Sequence, residues 1–180
     1  MKPVYVFLIT GFEEIEALGT IDVLRRAELN VKSVSLTGDK QVVASHGVAV
    51  IADLLFEEVD FTGVEMLVLP GGTVAYNEHE GVKRLFADFA VKGEKIAAIC
   101  ASPMVLGGLG LLKGKNATCY PGFEKFLEGA TLQTEKSVVT DGNITTGRGP
   151  GLTIDFALRL VEIIAGKEKA DQVGKGLLVR

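Results

Sequence analysis

The sequence predicts an α/β fold built on a mostly parallel sheet with helices on both faces, and three observations carry that expectation. Short, nearly uninterrupted apolar runs recur at residues 4–9, 31–36, 66–69 and 96–99. Helical patterns lie between them, and a strand that is apolar along its whole length needs cover on both faces, the situation of a parallel sheet between helix layers. The chain has 180 residues of which 47% are hydrophobic, enough for one domain spanning 1–180 with a substantial core.

Taken in order, the first run leads into Gly11-Phe-Glu-Glu-Ile-Glu16-Ala, which opens a helix. Between the second and third runs, QVVASHGVAV at residues 41–50 holds two β-prone pieces joined at Ser45-His46-Gly47 and reads as a hairpin added to the parallel core, an edge or a contact element for a second copy. The third run ends in Leu69-Pro-Gly-Gly72 and the fourth in Cys100. A second β pair, 136–140 and 144–146, flanks the turn signal Asp141-Gly142-Asn143. A long amphipathic helix follows with Ile154, Ala157, Leu158, Val161 and Ile164 on one face, and the more polar residues 166–180 are expected to form a terminal helix and tail. No repeat or Pro/Ser-rich linker divides the chain.

Charge and composition exclude several classes. Nineteen basic against 23 acidic side chains, net -4, leave no basic footprint for nucleic acid. No stretch is long and uncharged enough to span a bilayer, and the apolar start runs into glutamates rather than a cleavage site. A soluble cytoplasmic protein is expected, with Cys100 and Cys119 as free thiols. The two histidines, His46 and His79, have no ligand spacing to the cysteines, so no metal is expected. His46 reads as a solvent-exposed turn residue, His79 as an exposed loop or helix start and Cys119 as a buried strand residue.

Cys100 is the residue with chemistry to offer. It sits where an apolar strand turns into a helix capped by Ser102 and begun by Pro103. In open sheets that is where ligands bind, and a helix N-terminus lowers a thiol pKa and favours the nucleophilic thiolate. Position alone leaves a second reading open, a small buried hydrophobe. The Pro-Gly-Gly turn weighs against it, because two glycines let backbone N–H groups approach a substrate oxygen, although such a turn is often only a turn. Glu13 and Glu14 suit the positive end of the first helix. Glu16 lies in a row with Thr20, Val23 and Ala27, an apolar or small face, and so should point inward. A buried carboxyl without a cation has a raised pKa and can donate a proton. On a slightly rotated helix the same residue would be a surface glutamate.

With these segments in hand, the chain resembles the ThiJ/PfpI superfamily, on the branch of the parkinsonism-associated deglycase. The matching stretches are GFEEIEA at Gly11, LVLPGG at Leu67, AAICASP at Ala97 and TTGRGPG at Thr145. The resemblance implies a flavodoxin-like three-layer sandwich, a homodimer and no cofactor. It implies that Cys100 is the nucleophile, Glu16 its protonated partner, and the amides of Gly72 and Ala101 an oxyanion pocket framed by Arg148, Gly149 and Pro150. Two departures narrow it. Ala101 stands where the peptidase branch has a histidine, so peptide hydrolysis is disfavoured. Tyr120, in Thr118-Cys-Tyr-Pro121, stands where a histidine lies in the best-known member of this branch; it can orient a substrate, but a phenol is a poor base at neutral pH. His46 occupies the position from which related chains send an arginine across the dimer. The expected activity is glyoxalase or deglycase chemistry on reactive dicarbonyls or their adducts. The alternative is a non-enzymatic oxidative-stress sensor or chaperone operated by oxidation of Cys100.

Overall fold

The computed structural model describes residues 1–179. Its elements are β1 (Val4–Leu8), α1 (Glu14–Arg26), β2 (Val31–Ser35), β3 (Gln41–Val43), β4 (Ala49–Ile51), β5 (Leu54–Leu55), β6 (Met66–Leu69), α2 (Glu80–Val91), β7 (Lys95–Ile99), α3 (Pro103–Gly108), β8 (Asn116–Ala117), β9 (Thr131–Leu132), β10 (Val138–Asp141), β11 (Ile144–Gly147), α4 (Thr153–Ala165) and α5 (Lys167–Gly176). Seven strands form the main sheet in the order β10-β11-β7-β6-β1-β2-β5. Every pairing in it is parallel except β10 with β11, which the Asp-Gly-Asn turn joins as an antiparallel pair.

The pleat divides each strand between two cores. In β1, Tyr5 and Phe7 point to one side with Phe86 and Phe89 of α2 and Val105 and Leu106 of α3. Val4 and Val6 point to the other with Leu24 of α1 and Phe156 and Leu160 of α4. The result is the predicted three-layer sandwich, with α1 and α4 on one face and α2 and α3 on the other. Among the described residues, no helix is long and apolar enough to cross a membrane.

Two expectations change. The hairpin forms, with Val42 opposite Val50, but as a separate two-stranded sheet; β5 takes the edge of the main sheet beside β2. The hairpin instead docks on the start of α1, Gly11 N donating to the Val43 carbonyl and Ser45 N to that of Phe12, each at 2.8 Å. In α4 the core face is rotated from the expected one. Phe156, Ala157, Leu160 and Val161 are buried, whereas Ile154, Leu158 and Ile164 are only partly so, because α5 covers that second flank. Leu158 packs over Gly174 of α5.

Candidate active site

Three loops leave the carboxyl ends of the adjacent strands β7, β6 and β1, and they bring together residues far apart in sequence. Cys100 ends β7 with φ +66, a left-handed conformation that costs an ordinary residue roughly 1–2 kcal/mol. Backbone bonds on both sides hold it there. Its N–H donates to the Gly147 carbonyl at the end of β11 (2.9 Å), and its carbonyl accepts from Tyr120 N (2.8 Å). The turn aims the side chain at the Pro-Gly-Gly loop after β6.

That loop is clamped to α1. Gly71 N donates to Glu16 Oε2 at 2.7 Å, and Glu13 N donates to the Gly71 carbonyl at 2.9 Å. The Glu13 carboxylate, nearly buried, caps α1 by accepting from Glu16 N at 2.8 Å. Neither glycine can take a side chain without displacing its neighbours. A Cβ on Gly71 would lie 2.6 Å from Cys100 Cβ and 2.7 Å from Glu16 Oε2. Gly72 has φ +96, and a Cβ there would collide with the backbone of Glu13 and Gly11.

Glu16 is fully buried, as its helical row predicts. Burial is the main cause that lifts its pKa to about 7, helped by the Glu13 charge and opposed by the hydrogen bonds with Gly71 and Cys100. Its Oε1 has no hydrogen-bond partner of sound geometry, so the bond to the thiol is a loose one. The Cys100 thiol is pushed upward, first by burial and then by the charge and hydrogen bonding of Glu16, against the downward pull of the Ala101 and Gly72 amides. This reverses the expectation of a thiol lowered by a helix terminus. The helix is too short and the sulfur too buried beside a carboxyl. Ser102 is itself helical in backbone, and its hydroxyl donates to the Pro70 carbonyl instead of capping α3.

Above the sulfur lies a cavity of about 210 Å³ lined by Gly72, Thr73, Val74, Cys100, Ala101, Tyr120 and Phe123. Of the expected residues, the structure therefore joins Cys100, Gly72, Ala101 and Tyr120 in one cavity with Glu16 beneath. Arg148 and Pro150 do not line it. They line a neighbouring hollow of about 350 Å³ on the other side of Tyr120. Larger surface hollows, of about 470 Å³ between α4 and α5 and about 720 Å³ on α5, hold no cysteine.

His46 is 75% exposed and also outside the cavity. Its Nδ1 lies 3.0 Å from Glu14 Oε2, and its N–H donates to Glu14 Oε1 at 2.9 Å. Despite some desolvation, these bonds and that from Ser45 hold the Glu14 carboxyl down at about 2 and raise His46. Glu14 thus pins the hairpin tip, a role beyond its place at the helix end. Glu13, Glu14 and His46 form a group whose ligand atoms lie within 4.8 Å of one another, although Glu13 is engaged in capping and Glu14 with His46. His79 caps α2, its Nδ1 accepting from Val82 N. Cys119 is buried but lies just past β8 rather than in a strand. Burial and then the Glu124 charge push its thiol up to about 12, with Arg148 pulling the other way. Glu13, Gly71 and Gly147 are the supporting residues that sequence reasoning missed.

The DJ-1/PfpI family profile matches residues 2–163. The chain is 40% identical over 182 residues to protein dj-1beta of Drosophila melanogaster, covering 99% of this chain and 97% of that one. A crystal structure of Drosophila melanogaster DJ-1beta superposes with a TM-score of 0.94 at 40% identity, covering 99% of this chain and 98% of that one. A Caenorhabditis elegans protein named glutathione-independent glyoxalase DJR-1.2 is 30% identical over 92% of this chain and 89% of its own.

Proposed function

The chain belongs to the DJ-1/PfpI family, and from that premise we propose that it is a cysteine-dependent, cofactor-free enzyme of glyoxalase or deglycase type, acting on reactive dicarbonyls or their adducts. The observation that carries this reading is the buried Glu16–Cys100 pair facing the Gly72 and Ala101 amides beneath a small cavity. A relative named as a glyoxalase supports it.

The upward shift of both groups is what the mechanism uses. Two interacting acids titrate as a pair. The pair gives up its first proton near pH 7, at the value of Glu16, and keeps the second to high pH. Above about pH 7 it is a monoanion with one proton between carboxyl and sulfur. With the proton on Glu16, the thiolate is held by two amides and no longer faces a like charge. The thiolate adds to the aldehyde carbon of the dicarbonyl, the carbonyl oxygen becoming an oxyanion that the Gly72 and Ala101 N–H groups receive and Glu16 protonates. The Glu16 carboxylate so formed takes the hydrogen of that carbon as a proton to give an enediolate, the hydroxyl proton passes to the neighbouring oxygen, and Glu16 returns its proton to the neighbouring carbon as the first carbon becomes the thioester carbonyl. The resulting 2-hydroxy thioester is hydrolysed by water, which frees Cys100. Tyr120 orients the substrate from the cavity wall. In a purified Cys100→Ala variant, methylglyoxal turnover is expected to vanish; retention of full turnover would sink the proposal.

The second reading, an oxidative-stress sensor or chaperone, is favoured by one observation: the cavity wall offers no base besides the pair itself. Oxidation needs only thiolate, two equivalents of peroxide and donors for the sulfinate oxygens. Selective addition of two oxygens at Cys100, without dicarbonyl turnover, would decide for it.

A cytoplasmic homodimer completes the proposal. Two free thiols fit a reducing compartment. Exposed Ile15 and Leu18 on α1, with Val43, Val48 and Ile51 on the hairpin that docks there, offer an apolar surface to a second copy. His46 is the residue that would reach toward the partner's site.

A further inference from the structure

We propose that Ser102 is a positioning residue for the proton-sharing pair: its hydroxyl fixes and polarises the Pro70–Gly71 peptide, which in turn aims its N–H at the Glu16 carboxylate. The inference rests on the reading of Glu16 and Cys100 as such a pair and adds to it a residue that acts through Glu16.

A serine directly before Pro103 is placed to cap the short helix α3, yet it does not. Its own backbone is helical, and its N–H donates to the Ile99 carbonyl at 3.1 Å. The side chain is 1% exposed, and its hydroxyl donates across to the Pro70 carbonyl in the loop after β6. That carbonyl belongs to the same planar peptide unit as Gly71 N, which donates to Glu16 Oε2 at 2.7 Å. One peptide thus receives a proton donor at its oxygen and offers its hydrogen to a carboxylate on the opposite side.

Two consequences follow from that chain of bonds. A donor on the oxygen draws charge from the peptide nitrogen and strengthens its N–H as a donor in turn, an effect that low-dielectric surroundings preserve. The bond also holds the plane of a peptide that ends in glycine, where the backbone has the most freedom to turn away. The next peptide is tied separately, the Gly71 carbonyl accepting from Glu13 N at 2.9 Å. A donor at Oε2 favours the charged form of Glu16, so Ser102 brings the first ionisation of the pair down toward neutral pH, against burial. The other groups acting on Glu16 are Glu13 on α1, the Cys100 thiol and, from the turn Val74–Glu78, the phenol of Tyr76. That phenol donates to the Phe7 carbonyl at 2.9 Å and stays neutral, its pKa raised well above the usual value by burial.

The test is the pH profile of Cys100 alkylation by iodoacetamide. In the wild type the rate is expected to level off with its midpoint near the Glu16 value of about 7. Ser102→Ala, which removes one oxygen, should move the midpoint up by about half a pH unit, about threefold in the ionisation constant, the size of one lost neutral hydrogen bond. Ser102→Thr keeps the hydroxyl and should return the midpoint to within about 0.2 of the wild type. In a Glu16→Gln background, Ser102→Ala should change the rate at pH 8 by less than about twofold. A midpoint that Ser102→Ala leaves in place or lowers, one that Ser102→Thr fails to restore, or a loss of rate as large without Glu16 as with it, would overturn the role. A wild type with no inflection would remove the pair and this role together, whereas absence of dicarbonyl turnover would count against the enzymatic reading alone.

Discussion

Cys100 and Cys119 are the two thiols of one chain, and they are neighbours: the residue after Cys119 donates its N–H to the Cys100 carbonyl. Both are buried, and burial pushes both upward. Each belongs to a different core, Cys100 to the one with α1 and α4, Cys119 to the one with α2 and α3. What separates them is the company in that core. Cys100 has a carboxyl that can hold its proton, two amides at its sulfur and a strained backbone that aims it at a cavity. Cys119 has only charge without a hydrogen bond, the Glu124 carboxylate pushing its thiol up and the Arg148 guanidinium pulling it down. A raised pKa therefore does not tell an inert thiol from a reactive one; the presence of a second group with which to share the proton does.

The largest effect that could break this contrast is in alkylation rates. With neutral iodoacetamide, Cys100 should gain reactivity as pH rises through about 7 and then level off, whereas Cys119 should climb about tenfold per pH unit toward about 12. At pH 8 Cys100 is expected to react at least about tenfold faster, because it lines a cavity and has a carboxyl to take its proton, whereas Cys119 has neither. Glu16→Gln should abolish the plateau. Gly71→Ala, which drives a methyl into both Cys100 and Glu16, should cost Cys100 at least about tenfold and leave Cys119 as it was. Equal rates for the two thiols at pH 8 would end the comparison.

How much of this was legible beforehand follows the range of the interactions. The strands, the turn carrying Cys100 and the inward row of Glu16 are patterns within a few residues, and sequence shows them. The left-handed backbone at Cys100 arises from bonds to Gly147 and Tyr120, far beyond the local turn. The sign of the thiol shift depends first on burial and then on a carboxyl from the first helix, so the local argument from the helix terminus pointed the wrong way. Pro-Gly-Gly was readable as an amide donor at Gly72, but the closer constraint falls on Gly71, whose missing side chain leaves room for the pair. Arg148 and Pro150 were grouped with the cavity because they adjoin it in the motif, and the Tyr120 ring separates them from it.

The second effect is on stability, and it concerns the same carboxyl. Glu16 is raised from 4.5 to about 7, so between those values the folded protein keeps a proton that the unfolded chain has lost. Stability is then full below about pH 4.5 and declines as pH rises through about 7, by about 3 kcal/mol at about 1.4 per unit. Glu16→Gln removes this dependence and should raise the melting temperature at pH 8 by several degrees while impairing Cys100, a trade of stability against reactivity. Cys119→Ala has no such pH signature. A wild-type melting temperature that does not fall between pH 5 and 8 would contradict the buried carboxyl.

The smallest effect tests whether the site and the hairpin tip, both fastened to the first turn of α1, are independent. Glu16 faces the sulfur and Glu13 caps the helix by accepting from Glu16 N; Glu14, between them in sequence, faces Ser45 and His46. The Glu14 carboxyl is held down at about 2, so what it contributes is present above 4.5 and lost as pH falls toward 2, the opposite direction from Glu16. Its partner His46 is raised by the same bond. In Glu14→Gln the His46 titration, followed by NMR, should move down toward the free value of 6.5. The iodoacetamide rate at Cys100 should stay within about twofold, because adjacent helix positions point to different faces. A tenfold fall in that rate would mean that the hairpin and the nucleophile are one mechanical unit, and that the contrast between the two cysteines has a third participant at residue 14.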